Sequence, residues 1–176
     1  MTLVQAEDLQ DKRMFYSLSD TEWGKLAVAS NCKDQVLAVH FGKEESCLLD
    51  FILSDWSEGK LVSASCEIHK RVKDFIFERN GDHFELAVKT NKFNFKVWQH
   101  LLQIEYGLTI SYSMLAKKLD CPNGQRAVGQ AVGKNPISFL IPCHRVVAAN
   151  RKITGFRWGR ELKLKMLSRE SETLFA

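Results

Sequence analysis

The residues best placed to do chemistry are Cys143 and His144, adjacent in the stretch Phe139-Leu140-Ile141-Pro142-Cys143-His144-Arg145-Val146-Val147. Apolar residues lead in and out, which predicts a short buried strand on each side. Pro142 lacks an N–H and fixes its own φ, so the chain must break or bulge there and present the thiol at a rigid corner. Only the thiolate is nucleophilic, and a free cysteine near neutral pH is mostly thiol. A neighbouring imidazole is the usual remedy, because it can take the proton. Adjacency alone favours a blander reading, since most lone cysteines are small core hydrophobes. A third residue alters that balance. Glu170 lies four after Met166 and three after Leu167, on the inward side of a helix predicted over 161–171 with Leu162. A carboxylate that faces a core needs a partner. His144 is the candidate: an acid on one ring nitrogen leaves the other to serve the thiol.

The rest of the chain must position these groups. Its 176 residues, 45% hydrophobic, allow one good core or two small ones. No stretch approaches the run of about 18 apolar residues of a membrane helix, and no signal-peptide core is seen at the polar N-terminus (residues 2–11). The five cysteines are scattered and contain no Cys-x-x-Cys pair. That predicts reduced thiols and excludes a zinc ribbon or a disulfide framework. His40, His69 and His83 have no metal-ligand spacing and read as structural or exposed, so no metal site and no cofactor are expected.

Charge divides the chain. Residues 1–88 hold 10 Lys/Arg against 16 Asp/Glu, a net of −6, while residues 89–176 hold 15 against 5, a net of +10. A basic half of this size points to a polyanion, most economically nucleic acid. The predicted domains follow the same division: 1–88 a small α+β structural domain, and 89–176 the part expected to bind nucleic acid and to carry Cys143. In the first, 13–17, 25–29 and 35–42 read as strands of a small antiparallel sheet, and 44–54 and 66–78 as helices. In the second, Phe93, Val97, Trp98, Leu101 and Leu102 mark one face of a helix over 93–104 that Gly107 stops. Ser111 is a good N-cap for a helix over 112–119. Pro122-Asn123-Gly124 is a turn, and 125–134 is a helix rich in small residues: Ala127, Gly129, Ala131 and Gly133. Two glycines in one short helix cost about 1 kcal/mol each relative to alanine. Either tight packing or close approach of a nucleic acid requires that thin face. Helix, turn and helix on a basic background is a DNA-binding pattern of moderate strength. Beyond the cysteine, 149–152 reads as a turn, and 153–156 as a strand or loop in which Gly155 permits an unusual conformation.

Pro142-Cys143-His144-Arg145-Val146 resembles the signature of the O6-alkylguanine-DNA alkyltransferases, and it does not stand alone. Ser111-Tyr112-x-x-Leu115-Ala116, Arg126-Ala127-Val128-Gly129, Asn135-Pro136 and Gly155-Phe156-Arg157-Trp158-Gly159 recur in that family's order and spacing. The likeness covers essentially all of 90–172 and is greatest to the C-terminal half of the bacterial adaptive-response protein and its single-function relatives. Residues 1–88 resemble the family more weakly, through Tyr16-Ser17-Leu18-Ser19-Asp20 and Gly24-Lys25-Leu26.

The resemblance implies an α+β protein: a small N-terminal α/β (ribonuclease H-like) domain, then a mainly helical domain with a winged helix-turn-helix. It implies direct-reversal DNA repair by a methylated-DNA--[protein]-cysteine S-methyltransferase that acts once. The alkyl group of O6-alkylguanine, and of O4-alkylthymine, would pass irreversibly to Cys143 after base flipping. His144 would deprotonate the thiol through a water, Glu170 would orient the imidazole, and Asn135 would hold the active-site loop. Tyr112 would rotate a phosphate and help protonate the departing guanine. Arg126 would fill the gap left by the flipped base, and Ser113, Ala127 and Gly129 would face DNA. Val132, Val146, Phe156, Arg157 and Trp158 would line the pocket, with bulky Trp158 excluding large substituents. Phe156 departs from the tyrosine common in relatives, which removes a hydroxyl. The implied partner is double-stranded DNA carrying O6-alkylguanine. A monomer in the cytoplasm, or the nucleus if eukaryotic, is expected, with no membrane association. Two other classes share part of the pattern: a lesion sensor in which Cys143 no longer reacts, and a cysteine hydrolase, which leaves the basic half unexplained.

Overall fold

The computed structural model describes residues 1–6, 12–80, 83–150, 152–153 and 155–174. It is α+β and divides into two compact units: Met1–Lys89 with Pro136–Leu140, and Thr90–Asn135 with Ile141–Ala176.

The first unit is built on a six-stranded mixed sheet. Its strands are β1 (Thr2–Gln5), β2 (Arg13–Thr21), β3 (Gly24–Ser30), β4 (Val36–Gly42), β5 (Lys60–Ser63) and β6 (Glu85–Val88), in the spatial order β1-β6-β4-β3-β2-β5. The antiparallel sheet expected over 13–42 is present as β2-β3-β4. Three four-residue strands extend it by parallel pairing, β1 on β6, β6 on β4 and β5 on β2. Four residues are too few for a period to emerge, so those strands escape sequence reading. β4 is buried from Val36 through Phe41, the continuous apolar run of a central strand covered on both faces. Helix α1 (Glu45–Asp55) places Leu48 and Ile52 against Met14, Leu37 and Ala38, with Trp56 closing the cluster and its indole N–H donating to the Leu37 carbonyl at 3.2 Å. Helix α2 (Glu67–Glu78) buries Ile68, Val72 and Ile76. His69 is buried too, with Nε2 2.9 Å from the Ser30 hydroxyl, and His40 lies 3.3 Å from Asp55.

The residues just ahead of the cysteine differ from expectation. Phe139–Ile141 is a turn, not a strand. Only Ile137 bridges the sheet, to Val39, flanked by bonds from Val39 N to Pro136 O and from Ser138 N to Val39 O. Phe139 then takes a left-handed backbone (φ 66°), which no strand accommodates, and its ring lies 5.8 Å from that of Trp23. A buried turn and a buried strand present the same apolar run.

In the second unit, α3 (Lys92–Leu101) is capped by the Asn91 side chain and buries Asn94, Val97, Trp98 and Leu101. Phe93, expected on that face, is 38% exposed. The buried set advances by 3, 1 and 3 residues, a helical stripe that Phe93 flanks by one step. The helix ends three residues earlier than expected. Helix α4 (Tyr112–Lys118) has Ser111 as N-cap, its hydroxyl accepting from Met114 N at 3.1 Å. Helix α5 (Gln125–Gly133) follows the turn at 122–124, and the Trp98 indole donates to the Ala131 carbonyl at 2.8 Å. A two-residue parallel pair, β7 (Ile110–Ser111) with β8 (Val146–Val147), is the extent of β structure in this unit among the described residues. Helix α6 (Arg160–Leu174) completes it. Of the turn expected over 149–152 and the strand or loop over 153–156, Arg151 and Thr154 lie outside the described residues. The remainder carries no strand, and Lys152 N bonds to the Asn150 side chain. At Gly155 an added Cβ would meet nothing within 4 Å. Among the described residues no helix is long and apolar enough to cross a membrane.

Leu37 is fully buried at the centre of the first unit's core. Leu37→Ala should cost about 3 kcal/mol, measured as a fall in the urea midpoint with the slope unchanged.

Candidate active site

Cys143 opens a single 3-10 turn, Cys143–Arg145, entered from Pro142 and left through β8. Of the three adjacent residues on this turn, Cys143 is met by Asn135, while His144 and Arg145 both reach Glu170. Cys143 is 1% exposed and His144 is fully buried. The Asn135 amide donates to Cys143 Sγ at 3.1 Å and to the Ile141 carbonyl at 2.9 Å, tying the end of α5 to both sides of Pro142.

His144 Nε2 lies 2.7 Å from Glu170 Oε1, a carboxylate projecting from α6 and 1% exposed. Three further donors reach that carboxylate. Arg145 gives it Nε at 3.0 and 3.1 Å and Nη2 at 2.9 Å, and the Gly107 N–H gives it 3.2 Å. Arg145 also donates Nη1 to the Ile104 carbonyl at 2.6 Å. Gly107 lies well past the end of α3 at Leu101 rather than stopping that helix, and its left-handed backbone (φ 77°) delivers its N–H to the site.

These contacts set the protonation states. Burial pushes the Cys143 thiol up to about 11, opposed by the Asn135 hydrogen bond and by Lys163, its own backbone N–H and Arg157. Burial also lowers His144, against the raising influence of the Glu170 hydrogen bond and charge, so the ring is neutral at pH 7. Burial would raise Glu170, but hydrogen bonds from His144 and Arg145 and their charges outweigh it and hold the carboxyl at about 2. The resting site is therefore thiol, neutral imidazole and carboxylate. Because Nε2 faces the carboxylate, that nitrogen carries the ring proton, and Nδ1 is the nitrogen able to accept another.

The other expected residues fall in two places. Tyr112 and Ser113 open α4, half-buried, with Ser113 Oγ 2.9 Å from Ser111 Oγ. Arg126 and Ala127 are exposed at the start of α5. A Cβ on Gly129 would meet the Tyr112 ring at 3.7 Å, an ordinary contact, and one on Gly133 would meet nothing within 4 Å. Packing within the protein therefore does not require the thin face of α5. Val132 and Val146 are buried. Phe156, Arg157 and Trp158 are half-buried, with the Phe156 and Trp158 rings 5.1 Å apart and Arg157 Nη1 donating to the Asn135 carbonyl at 3.2 Å. Sequence reading missed the Arg145 clamp and the buried Lys163. Lys163 was accessible to it, because 163, 166 and 170 follow one helical stripe.

Comparison with known proteins bears on this site directly. Residues 92–172 match the family model "6-O-methylguanine DNA methyltransferase, DNA binding domain". The methylated-DNA--protein-cysteine methyltransferase of Methanosarcina acetivorans is 31% identical over 159 residues, spanning 89% of this chain and 98% of that one. The chain belongs to the methylated-DNA--protein-cysteine methyltransferase family. The Escherichia coli bifunctional transcriptional activator/DNA repair enzyme Ada is 30% identical over 161 residues, 89% of this chain and 45% of Ada. The crystal structure of Mycobacterium tuberculosis OGT in complex with DNA superposes with a TM-score of 0.73 at 25% identity, covering 93% of this chain and 99% of that one. The chain spans about half the length of the first curated relatives it matches. In this methyltransferase family member, the part matching the DNA-binding model holds the whole Cys143, His144, Glu170 and Asn135 arrangement.

The shifted groups make stability depend on pH at both ends. Glu170 is held below its ordinary 4.5, so its contribution is present above about pH 4.5 and is lost as pH falls towards 2. Cys143 is raised above its ordinary 9.0, so its contribution is present below pH 9 and is lost as pH rises towards 11. Glu170→Gln should flatten the acid limb and cost about 3 kcal/mol at pH 7, because it strips the partner from Arg145. Cys143→Ala should flatten the alkaline limb. Urea unfolding across pH 2–11 measures both.

Proposed function

We propose that this protein repairs DNA by direct reversal, moving the alkyl group of O6-alkylguanine, and of O4-alkylthymine, onto Cys143 in one irreversible step. A single observation carries the reading: a buried thiol, hydrogen-bonded by Asn135, on the same turn as a neutral imidazole that is itself bound to a buried carboxylate. His144 takes the thiol proton, and Glu170 stabilises the imidazolium that results. Sulfur attacks the alkyl carbon, the carbon–O6 bond breaks with its electron pair, and guanine leaves, protonated with help from Tyr112. The thioether that remains has no route back to the thiol, so each protein acts once.

DNA enters through the second unit. The net charge of +10 over 89–176, the stretch that contains this unit, suits a phosphate backbone. Helices α4 and α5 supply a helix-turn-helix whose second helix leaves Ala127 and Gly133 exposed and small for a groove. The target base is turned out of the stack, which costs a few kcal/mol, and Arg126 occupies the vacated space. Phe156, Arg157 and Trp158 receive the base beside Val132 and Val146. Residues 1–88 serve as a structural domain. The site of action is the DNA compartment, cytoplasm or nucleus.

Incubation with a duplex carrying one O6-methylguanine should add one methylene's mass to the intact protein, stoichiometrically and at Cys143, and Cys143→Ala should add none. Tight binding to the lesion without a mass gain would identify a sensor instead. Arg126→Ala should slow transfer from duplex DNA by about tenfold or more, since the extrusion cost is no longer offset. A smaller loss is expected on single-stranded substrate.

A further inference from the structure

We propose that Arg157 and Lys163 are positioning residues that brace both ends of the acceptor turn and hold positive charge around the Cys143 sulfur. The proposal deepens the alkyl-transfer reading and rests on Cys143 being the acceptor.

The brace is continuous. Ahead of the turn, Arg157 Nη1 donates to the Asn135 carbonyl at 3.2 Å, and the Asn135 amide reaches Cys143 Sγ. Beyond it, Lys163 Nζ donates to the Val146 carbonyl at 2.6 Å, on the first residue after the turn. Aromatic rings join the two cations. Lys163 Nζ sits 5.8 Å from the Phe156 ring centre, Phe156 packs edge-on against Trp158 at 5.1 Å, and the Arg157 guanidinium lies 5.9 Å from Trp158. One band of contacts thus runs from the residue that holds the sulfur to the backbone that follows it.

The charge of Lys163 needs explaining separately. Its side chain is fully buried, and burying an ammonium is expensive. A methionine would fill similar space at less cost, and replacing buried charge by well-packed apolar groups is often neutral or stabilising. The sulfur gives that charge a use: both cations favour its thiolate, and while burial lowers Lys163 below the ordinary lysine value, the thiolate would favour its charged form in turn. During transfer the proton goes to His144 while negative charge grows on sulfur, and neither cation exchanges atoms. Once a flipped base fills the pocket and water leaves, the same charges act through a lower dielectric and weigh more.

The test is iodoacetamide modification of Cys143 in the full chain from pH 6 to 10, located by peptide mass, for the wild type and for Arg157→Gln, Arg157→Lys and Lys163→Met. Removing either charge should displace the rate–pH line to the alkaline side and slow modification at fixed pH by roughly threefold or more. Arg157→Lys, which keeps the charge, should recover most of the loss. Methyl transfer from O6-methylguanine DNA should slow in the same order. Lines that superimpose on the wild type for the folded variants overturn the brace. If Lys163→Met does not fold, the Arg157 pair decides alone. The reagent needs no DNA, so a displaced line with no methyl transfer by the wild type would retire the repair reading and leave the brace standing. Normal transfer with superimposed lines would retire the brace alone.

Discussion

The carboxylate of Glu170 is the constraint on which the second unit's chemistry depends. A buried carboxylate is tolerated only when its lone pairs are engaged, and here four groups engage them: His144 Nε2, two nitrogens of Arg145 and the Gly107 N–H. Those donors come from the turn Cys143–Arg145 and from the segment that follows α3, while the carboxylate comes from α6. Satisfying one charge therefore fixes three parts of the chain against each other. It also fixes the imidazole, because a carboxylate on Nε2 determines which nitrogen is free to take a proton.

Burial keeps the site quiet until it is needed. A thiol raised to about 11 is almost entirely protonated at pH 7, and the protonated form is a poor nucleophile. On the repair reading this is useful, since a protein that can react only once is wasted by any stray electrophile. On that reading the thiolate is made at the moment of attack, favoured by the hydrogen bond from Asn135 and the charges of Arg157 and Lys163, with His144 held by Glu170. The thin face of α5 belongs to the same economy, because nothing inside the protein asks Gly129 or Gly133 to be glycine.

Much of this was legible from residue type and spacing. Cys143 beside His144, the inward position of Glu170, the Ser111 cap and the helix-turn-helix each follow from a local rule that the structure obeys. What was hidden has physical reasons. Strands β1, β5 and β6 are four residues long and carry no measurable period, so half of the sheet was invisible. Phe139–Ile141 reads as a strand because burial looks the same in a turn, and the left-handed backbone at Phe139 leaves no trace in residue type. Phe93 reads as inward because an aromatic ring outranks an asparagine on any hydropathy scale, yet Asn94 has the buried register and a partner in Thr90 at 3.0 Å. Arg145 reads as one more basic residue until its carboxylate is located. Lys163 lies on the inward stripe of α6, but lysine is so rarely buried that its residue type argues against that position.

The central claim is that the resting site pairs a thiol with a neutral imidazole whose proton sits on the nitrogen facing Glu170. The most direct measurement is the pair of ¹⁵N chemical shifts of the His144 ring in the whole protein at pH 7. One protonated nitrogen, assigned to Nε2, with Nδ1 bare would establish the arrangement from which His144 accepts the proton of Cys143. Protonation at both nitrogens, or at Nδ1 alone, would contradict it, because the ring could then not act as the base.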